Sequence, residues 1–212
     1  VDGVRYGIRQ VQPLIETRVP FELNIWELDN VERGAEDPDL DTLTEACRRA
    51  ACFEDRAIYE GFDDGCIAGL SAASPHDSFE LDGGASEHAD AVAAAVMAML
   101  DGGVDGPFGL VLGSEAYRKM VTGGGEYPPL RRLRSIVEGP IIHSRVLTGG
   151  LVVSMRGGDL QLVLGEDFAV GYETHDAKKV RLFVTESFTF RILDPAALVA
   201  LPAKAAAKSK KK

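Results

Sequence analysis

The chain has 212 residues, of which 45% are apolar and 26% are charged, and its formal net charge is −10. This composition excludes a disordered chain and allows one sizeable core or two modest ones. The acidic balance also argues against nucleic acid as the main partner, because affinity for nucleic acid comes largely from neutralising phosphates.

The sequence shows no sign of membrane insertion, export or disulfide bonding. No apolar run approaches the roughly 18 residues that cross a bilayer, and residues 1–10 lack the pattern of a signal peptide. The three cysteines form no CxxC pair, which indicates neither a disulfide framework nor a zinc site. We therefore expect a chain of the reducing cytosol without a membrane partner. Because it begins on strand-like residues and not on Met, we also expect that an N-terminal portion is missing.

A long strand is predicted over residues 11–25, where apolar and polar side chains alternate. The apolar residues are Val11, Ile15, Val19, Phe21, Leu23 and Ile25. Period two indicates a strand, and this run would extend about 45 to 50 Å. Alternatively, the run bends at Pro20 into two ordinary strands. Trp26 follows directly, and we expect it to pack in the core or in an interface; if exposed, it would offer a platform for an aromatic ligand.

Helical patterns occupy the middle of the chain. Apolar spacing and strong helix formers predict helices over residues 39–61, 86–101, 114–121 and 130–137. Ser86 and Ser114 stand where N-cap residues are expected, and residues 71–84 have the composition of a loop. Cys47 and Cys52 lie on the first helix, where free cysteines are expected to be small buried residues.

Further strands follow, which makes the predicted fold class α+β. Residues 108–112 form a short buried strand, and residues 151–155 and 160–164 are predicted to pair as a hairpin around the turn 156–159. A second long strand covers residues 180–192, with an apolar face that Glu186 interrupts. That face consists of Val180, Leu182, Val184, Phe188, Phe190 and Ile192.

No residue pattern supports catalysis or a bound metal or cofactor. Ser114 lacks the final glycine of a nucleophile elbow, and the chain has no motif that identifies a catalytic base. The four histidines, His76, His88, His143 and His175, are dispersed singly along the chain. We therefore predict a protein that is not an enzyme and holds no metal ion and no cofactor.

Ten sequence blocks occur in the order found in one protein family, and the matching region spans residues 7–201. They are PLIE (13–16), FEL (21–23), WELDNVERG (26–34), FEDRAIYEG (53–61), GPF (106–108), EYP (126–128), RGGD (156–159), LGED (164–167), GY (171–172) and ESFTF (186–190). On these blocks the chain resembles the encapsulin, or linocin-like, family of shell proteins.

The resemblance implies the HK97 phage-capsid fold, with a peripheral domain around a spine helix, an axial domain and an extended-loop arm. Residues 1–66 would be the return strand of the extended loop and part of the peripheral domain. Residues 67–165 would form the axial domain, and residues 166–201 the C-terminal strands of the peripheral domain. The lysine-rich tail, residues 202–212, is expected to be solvated. The family's N-terminal helix and the outgoing half of its extended loop have no counterpart here.

The implied function is that of a structural shell subunit. Copies of the chain would self-assemble into a closed icosahedral encapsulin nanocompartment in the cytoplasm. Its partners would be the chain itself and a cargo enzyme, a peroxidase or a ferritin-like iron-storage protein, which carries a C-terminal targeting peptide. The alternatives are a major capsid protein of a phage or prophage and, less favoured, a hydrolase or bacteriocin.

Two sites follow from the resemblance. Asp167, Phe168, Val170 and Tyr172 match the region that binds the cargo peptide, with ordinary strand packing as the alternative. The loop of Gly123, Gly124, Gly125, Glu126 and Tyr127 matches the axial loop and would line a pore on a symmetry axis. There Glu126 would form a ring of carboxylates that concentrates cations; alternatively, it points away and caps the next helix.

Overall fold

The computed structural model describes residue 3 and residues 5–123 and 129–204, and this part of the chain contains six α-helices and seven β-strands. The helices are Ile25–Glu32 (α1), Asp41–Tyr59 (α2), Leu70–Ala73 (α3), Ala85–Asp101 (α4), Ser114–Thr122 (α5) and Pro129–Val137 (α6). The strands are Ile15–Asn24 (β1), Phe108–Gly113 (β2), Glu138–Ser144 (β3), Gly150–Ser154 (β4), Leu160–His175 (β5), Lys179–Ile192 (β6) and Leu198–Leu201 (β7). This content confirms the α+β prediction.

The described residues fall into two compact units. The first is built from Val1–Ala50, Asp63–Ile67 and Leu162–Thr189, and the second from Ala51–Phe62, Ala68–Gln161 and Phe190–Lys212. The sequence-based division instead kept all of residues 166–201 in the peripheral domain. The assignment of the two units to a peripheral and an axial domain stays a prediction.

A three-stranded sheet in the order β1, β6, β5 forms the first unit. β1 runs antiparallel to β6, from the pair Ile15 and Phe188 to the pair Asn24 and Lys179. Alternation places one apolar face of these strands against α2, where small side chains permit close approach. The buried residues of this core are Phe21, Leu23, Ala46, Ala50, Val180 and Val184.

The predicted strand over residues 11–25 is confirmed only from Ile15 to Asn24. It ends there because the Asn24 side chain accepts a hydrogen bond from the Trp26 N–H at 3.0 Å and so caps α1. Pro20 does not split the strand, since β1 lies at the sheet edge, where a missing donor needs no partner.

Trp26 does not lie in the core of this chain. Its side chain is 60% exposed on α1, and the guanidinium of Arg33 lies 5.2 Å from its ring centroid. The expectation of core packing is therefore wrong, while the alternative of an interface position stays a prediction.

The second unit contains a four-stranded sheet in the order β3, β2, β4, β7. β2 is parallel to β3 and antiparallel to β4, and β4 is antiparallel to β7. One buried cluster joins this sheet to α4, α5 and α6, with Met99, Leu110, Met120, Leu133 and Val152 among its members.

The predicted hairpin of residues 151–155 and 160–164 is wrong. β4 pairs with β2 and β7, whereas β5 pairs with β6 in the other sheet. Alternation shows which face of a strand is buried but does not select its partner. The short glycine turn over residues 156–159 therefore predicts a pairing of neighbouring strands that the chain does not make.

Three smaller expectations also fail. Ser86 and Ser114 are not N-caps, because Gly84 and Gly113 occupy those positions; at α4 the Glu87 carboxylate accepts from the Gly84 N–H at 3.0 Å. The predicted loop over residues 71–84 begins within α3. Cys47 is exposed and Cys52 half-buried, because α2 turns Ala46 and Ala50 toward the core.

Candidate cargo-binding and pore sites

The strand β5 carries an exposed apolar stripe, which we call the β5 stripe. Its members are Leu162, Leu164, Phe168, Val170 and Tyr172, with exposed fractions between 43% and 58%. They stand at even positions, so strand alternation places them on one face, with Glu166 among them.

The opposite face of β5 lies against side chains of β6. A Cβ added to Gly171 would lie 2.2 Å from the Phe183 ring, and one added to Gly165 would lie 2.6 Å from Ser187 Oγ. The odd-numbered residues of β5 and β6 therefore lie on one face of the sheet, and the β5 stripe lies on the other face.

The predicted cargo residues divide between these two faces. Phe168, Val170 and Tyr172 lie together on the stripe and are exposed, so the alternative of ordinary core packing does not hold within this chain. Asp167 falls on the opposite face by alternation, and its Oδ1 accepts a hydrogen bond from the Phe168 N–H at 2.7 Å. Tyr172 Oη lies 2.6 Å from His175 Nδ1, so the tyrosine hydroxyl is already paired.

Ion pairs and backbone hydrogen bonds hold the β5–β6 turn and its neighbour β1. Lys179 Nζ donates to Glu22 at 2.8 Å and lowers the pKa of that carboxyl, an effect to which Arg181 at 3.2 Å adds. The backbone N–H groups of Lys178 and Lys179 donate to Asp176 Oδ1 and lower the pKa of that carboxyl. These contacts hold in place the end of the strand pair at which β5 turns into β6.

Only the first residue of the predicted pore loop lies within the described residues. Gly123 ends α5, and its N–H donates to the Lys119 carbonyl oxygen at 2.8 Å. Gly124, Gly125, Glu126 and Tyr127 lie outside the described residues. The pore therefore stays a prediction.

Sequence reasoning missed a serine and a histidine that the second sheet brings together. Ser114 Oγ lies 2.9 Å from His143 Nε2, and the rings of His143 and Tyr117 are 5.0 Å apart. The pairing of Leu112 with His143 in parallel strands causes this meeting, and a separation of 29 residues leaves no local signal of it. Within the described ranges, no carboxylate bonds to the other ring nitrogen of His143.

The described residues contain neither a metal-binding group nor a membrane-spanning helix. No group of three or more His, Cys, Asp or Glu side chains there is placed to hold a metal ion. None of the helices described has both the length and the apolar character to span a membrane.

Comparison with solved structures identifies the fold. The virus-like particle from Pyrococcus furiosus matches 95% of this chain and 82% of its own chain, with a TM-score of 0.72 and 20% identity. The capsid of Myoviridae phage XM1 matches 90% of this chain and 74% of its own, with a TM-score of 0.58 and 14% identity. At these identities the likeness concerns the fold alone, and it confirms the HK97-like capsid fold.

Comparison with curated proteins identifies the family. The family described as "Encapsulating protein for peroxidase" matches residues 1–189. A type 1 encapsulin shell protein of Rhodospirillum rubrum is 44% identical over 195 residues, which cover 91% of this chain and 70% of that protein. That of Mycobacterium tuberculosis is 38% identical over 201 residues, 94% of this chain and 76% of its own.

Phage capsid proteins resemble the chain far less in sequence than these shell proteins do. The phage and phage-like capsids compared have 12–17% identity, which disfavours the alternative of a phage capsid protein. The chain belongs to the encapsulin family and is a shell subunit of a nanocompartment.

Proposed function

We propose that copies of this subunit close into an icosahedral shell in the cytoplasm that encloses a cargo enzyme, and that the targeting peptide of the cargo binds along the β5 stripe. The description of the matching family favours a peroxidase as cargo. A ferritin-like iron-storage enzyme is the second candidate.

The exposed β5 stripe is the observation that carries the proposal. Monomeric proteins rarely expose contiguous apolar patches, and larger ones mark binding surfaces. A short apolar peptide needs a hydrophobic wall of this kind, and Phe168, Val170 and Tyr172 supply it. Glu166 stands within the stripe and would give a polar anchor that fixes the register of the peptide.

The backbone of β5 adds a second means of recognition. Among the described strands, β5 lies at the edge of its sheet, next to β6 only. An edge strand presents unpaired N–H and C=O groups to which an extended peptide can add as a further strand. Main-chain hydrogen bonds would then supply affinity, and the stripe would supply specificity.

The test is cargo loading of the full-length shell protein with Phe168→Asp. Loading should fall about tenfold or more, because a buried aromatic side chain is worth about 1.5–3 kcal/mol. Val163→Asp is the matched control: it makes the same kind of change on the opposite face of the same strand and should leave loading near the parent level. Assembled Phe168→Asp shells that load cargo like the parent would contradict the proposal.

The pore role of residues 123–127 rests on the family resemblance and on the position of Gly123 at the end of α5. A ring of Glu126 carboxylates would attract cations such as Fe(II). Shells carrying Glu126→Gln or Glu126→Lys should take up Fe(II) more slowly than the parent at low ionic strength, where charge effects are largest. Equal uptake by all three shells would remove the ring from the mechanism.

A further inference from the structure

A cavity of about 600 Å³ lies within the second unit, and we call it the α5 cavity. The start of α5, the chain between β3 and β4, one residue of α4 and the segment after β7 surround it. Its ionisable lining residues are Asp82, His88, Glu115, Lys119, Arg145 and Lys204. Among the described residues, no predicted cargo or pore residue lines it.

The N-terminus of α5 opens into this cavity. Gly113 is its N-cap and offers no side chain, and its own N–H donates to the Gly149 carbonyl oxygen at 2.8 Å. The first N–H groups of any helix lack an intrahelical partner, and together with the helix dipole they favour an anion. Ser114, Glu115 and Ala116 of the nine-residue helix line the cavity at this end.

His88 is the second and independent sign of a ligand. Its side chain lines the cavity and is only 2% exposed, and neither ring nitrogen has a hydrogen-bond partner among the described residues. Burial lowers the pKa of His88, and nearby Lys119 lowers it further, so the ring is neutral at pH 7 with one donor and one acceptor. Buried polar atoms nearly always have a hydrogen-bond partner. A molecule bound in the cavity would supply that partner to the His88 ring.

The charges around the cavity leave an excess of positive charge. Lys204 pairs with Asp82 at 2.6 Å, and Lys119 lies 3.6 Å from Glu115, so each carboxylate has its own cation. Arg145 has no ion-pair partner in the part of the chain described. This guanidinium and the helix terminus therefore offer an anion site in a chain whose net charge is −10.

We propose that the α5 cavity binds a phosphate-bearing small molecule, with the phosphate between the N-terminus of α5 and Arg145 and with His88 at the floor. Arginine pairs with phosphate through two parallel hydrogen bonds. The volume lies within the range of small-molecule sites, which is about 300–1,000 Å³, so it has room for more than the phosphate group. Free phosphate and a phosphorylated metabolite share this chemistry.

Calorimetric titration of the full-length protein with inorganic phosphate and with AMP, at constant ionic strength, tests the site. Arg145→Ala should weaken binding about tenfold or more, as expected for the loss of a charged hydrogen bond. Arg118→Ala removes the same charge from an exposed position on α5 outside the cavity lining and should bind like the parent. Tighter binding of AMP would indicate a phosphorylated metabolite, and equal binding would indicate free phosphate.

Two further variants separate the cavity from other causes. His88→Leu removes an unpaired buried ring and should fold, yet bind phosphate more weakly than the parent. Replacing Lys208, Lys210, Lys211 and Lys212 by serine should leave binding intact, because the proposed contacts come from the start of α5, Arg145 and His88. The proposal is overturned if neither probe binds, if Arg145→Ala matches Arg118→Ala, or if binding disappears with the tail lysines.

Discussion

Arg156 holds Asp159 in a two-pronged ion pair that closes the turn between β4 and β5. Arg156 Nε lies 2.9 Å from Asp159 Oδ2 and Nη2 lies 2.8 Å from Oδ1, while the Asp159 side chain is only 9% exposed. Nη2 also donates to Asp194 at 2.7 Å. The intervening Gly157 and Gly158 have φ angles of +87° and +84°, which other residues rarely adopt.

We expect Arg156→Ala to lower the free energy of unfolding by more than the loss of an exposed ion pair does, because it leaves the mostly buried Asp159 carboxylate without its charged partner. Chemical denaturation followed by circular dichroism measures the change. Arg48→Ala is the control, since its pair with Glu45 is exposed and should contribute less than about 1 kcal/mol. Equal losses in the two variants would show that the turn does not depend on this pair.

Gly171→Ala should destabilise the first unit by about 1–3 kcal/mol, because the new methyl group would overlap the Phe183 ring. Phe183→Leu in the same chain should recover part of this loss by making room. A double-mutant cycle from thermal denaturation gives the coupling between the two positions. Strictly additive effects would mean that the ring moves away freely.

His88 should make the protein less stable as the pH falls below neutral. Its pKa is lowered, mainly by burial and then by Lys119, against the opposite effects of Glu87, Glu115 and Asp82. The unfolded chain therefore binds more protons between the ordinary value of 6.5 and the lower folded pKa, and stability is lost across that window. His88→Leu should flatten the pH profile of the melting temperature between pH 7 and pH 5. If the melting temperature of His88→Leu depends on pH as steeply as that of the parent, the pH dependence comes from other ionisable groups.

Assembled shells should not hydrolyse esters or peptides despite the contact between Ser114 and His143. The pair lacks a carboxylate on His143 among the described residues, and such a partner orients the base in serine hydrolases. A p-nitrophenyl acetate assay should give the same rate for the parent and for Ser114→Ala. A saturable activity that falls about 10³-fold or more in Ser114→Ala would instead establish a hydrolase.

Elements whose side chains follow one clear period could be predicted from the sequence alone. The spine helix was predicted over residues 39–61 and is Asp41–Tyr59, and the strand over 180–192 is Lys179–Ile192. The ordered blocks between residues 13 and 190 were also sufficient to indicate the family and its fold. Helix and strand propensity and the pattern of burial depend on the residues within each segment, which is why these elements can be predicted from the sequence.

Which segments meet could be learned only from the three-dimensional structure. Periodicity names the buried face of a strand and not its partner, so the separation of β4 from β5 was not foreseeable. The meeting of Ser114 with His143 and the exposure of Trp26 depend likewise on contacts between distant residues. His88 shows the same limit. In the sequence it is one of four histidines far apart, and only the packing around α4 and α5 buries its ring beside Lys119 and the α5 cavity.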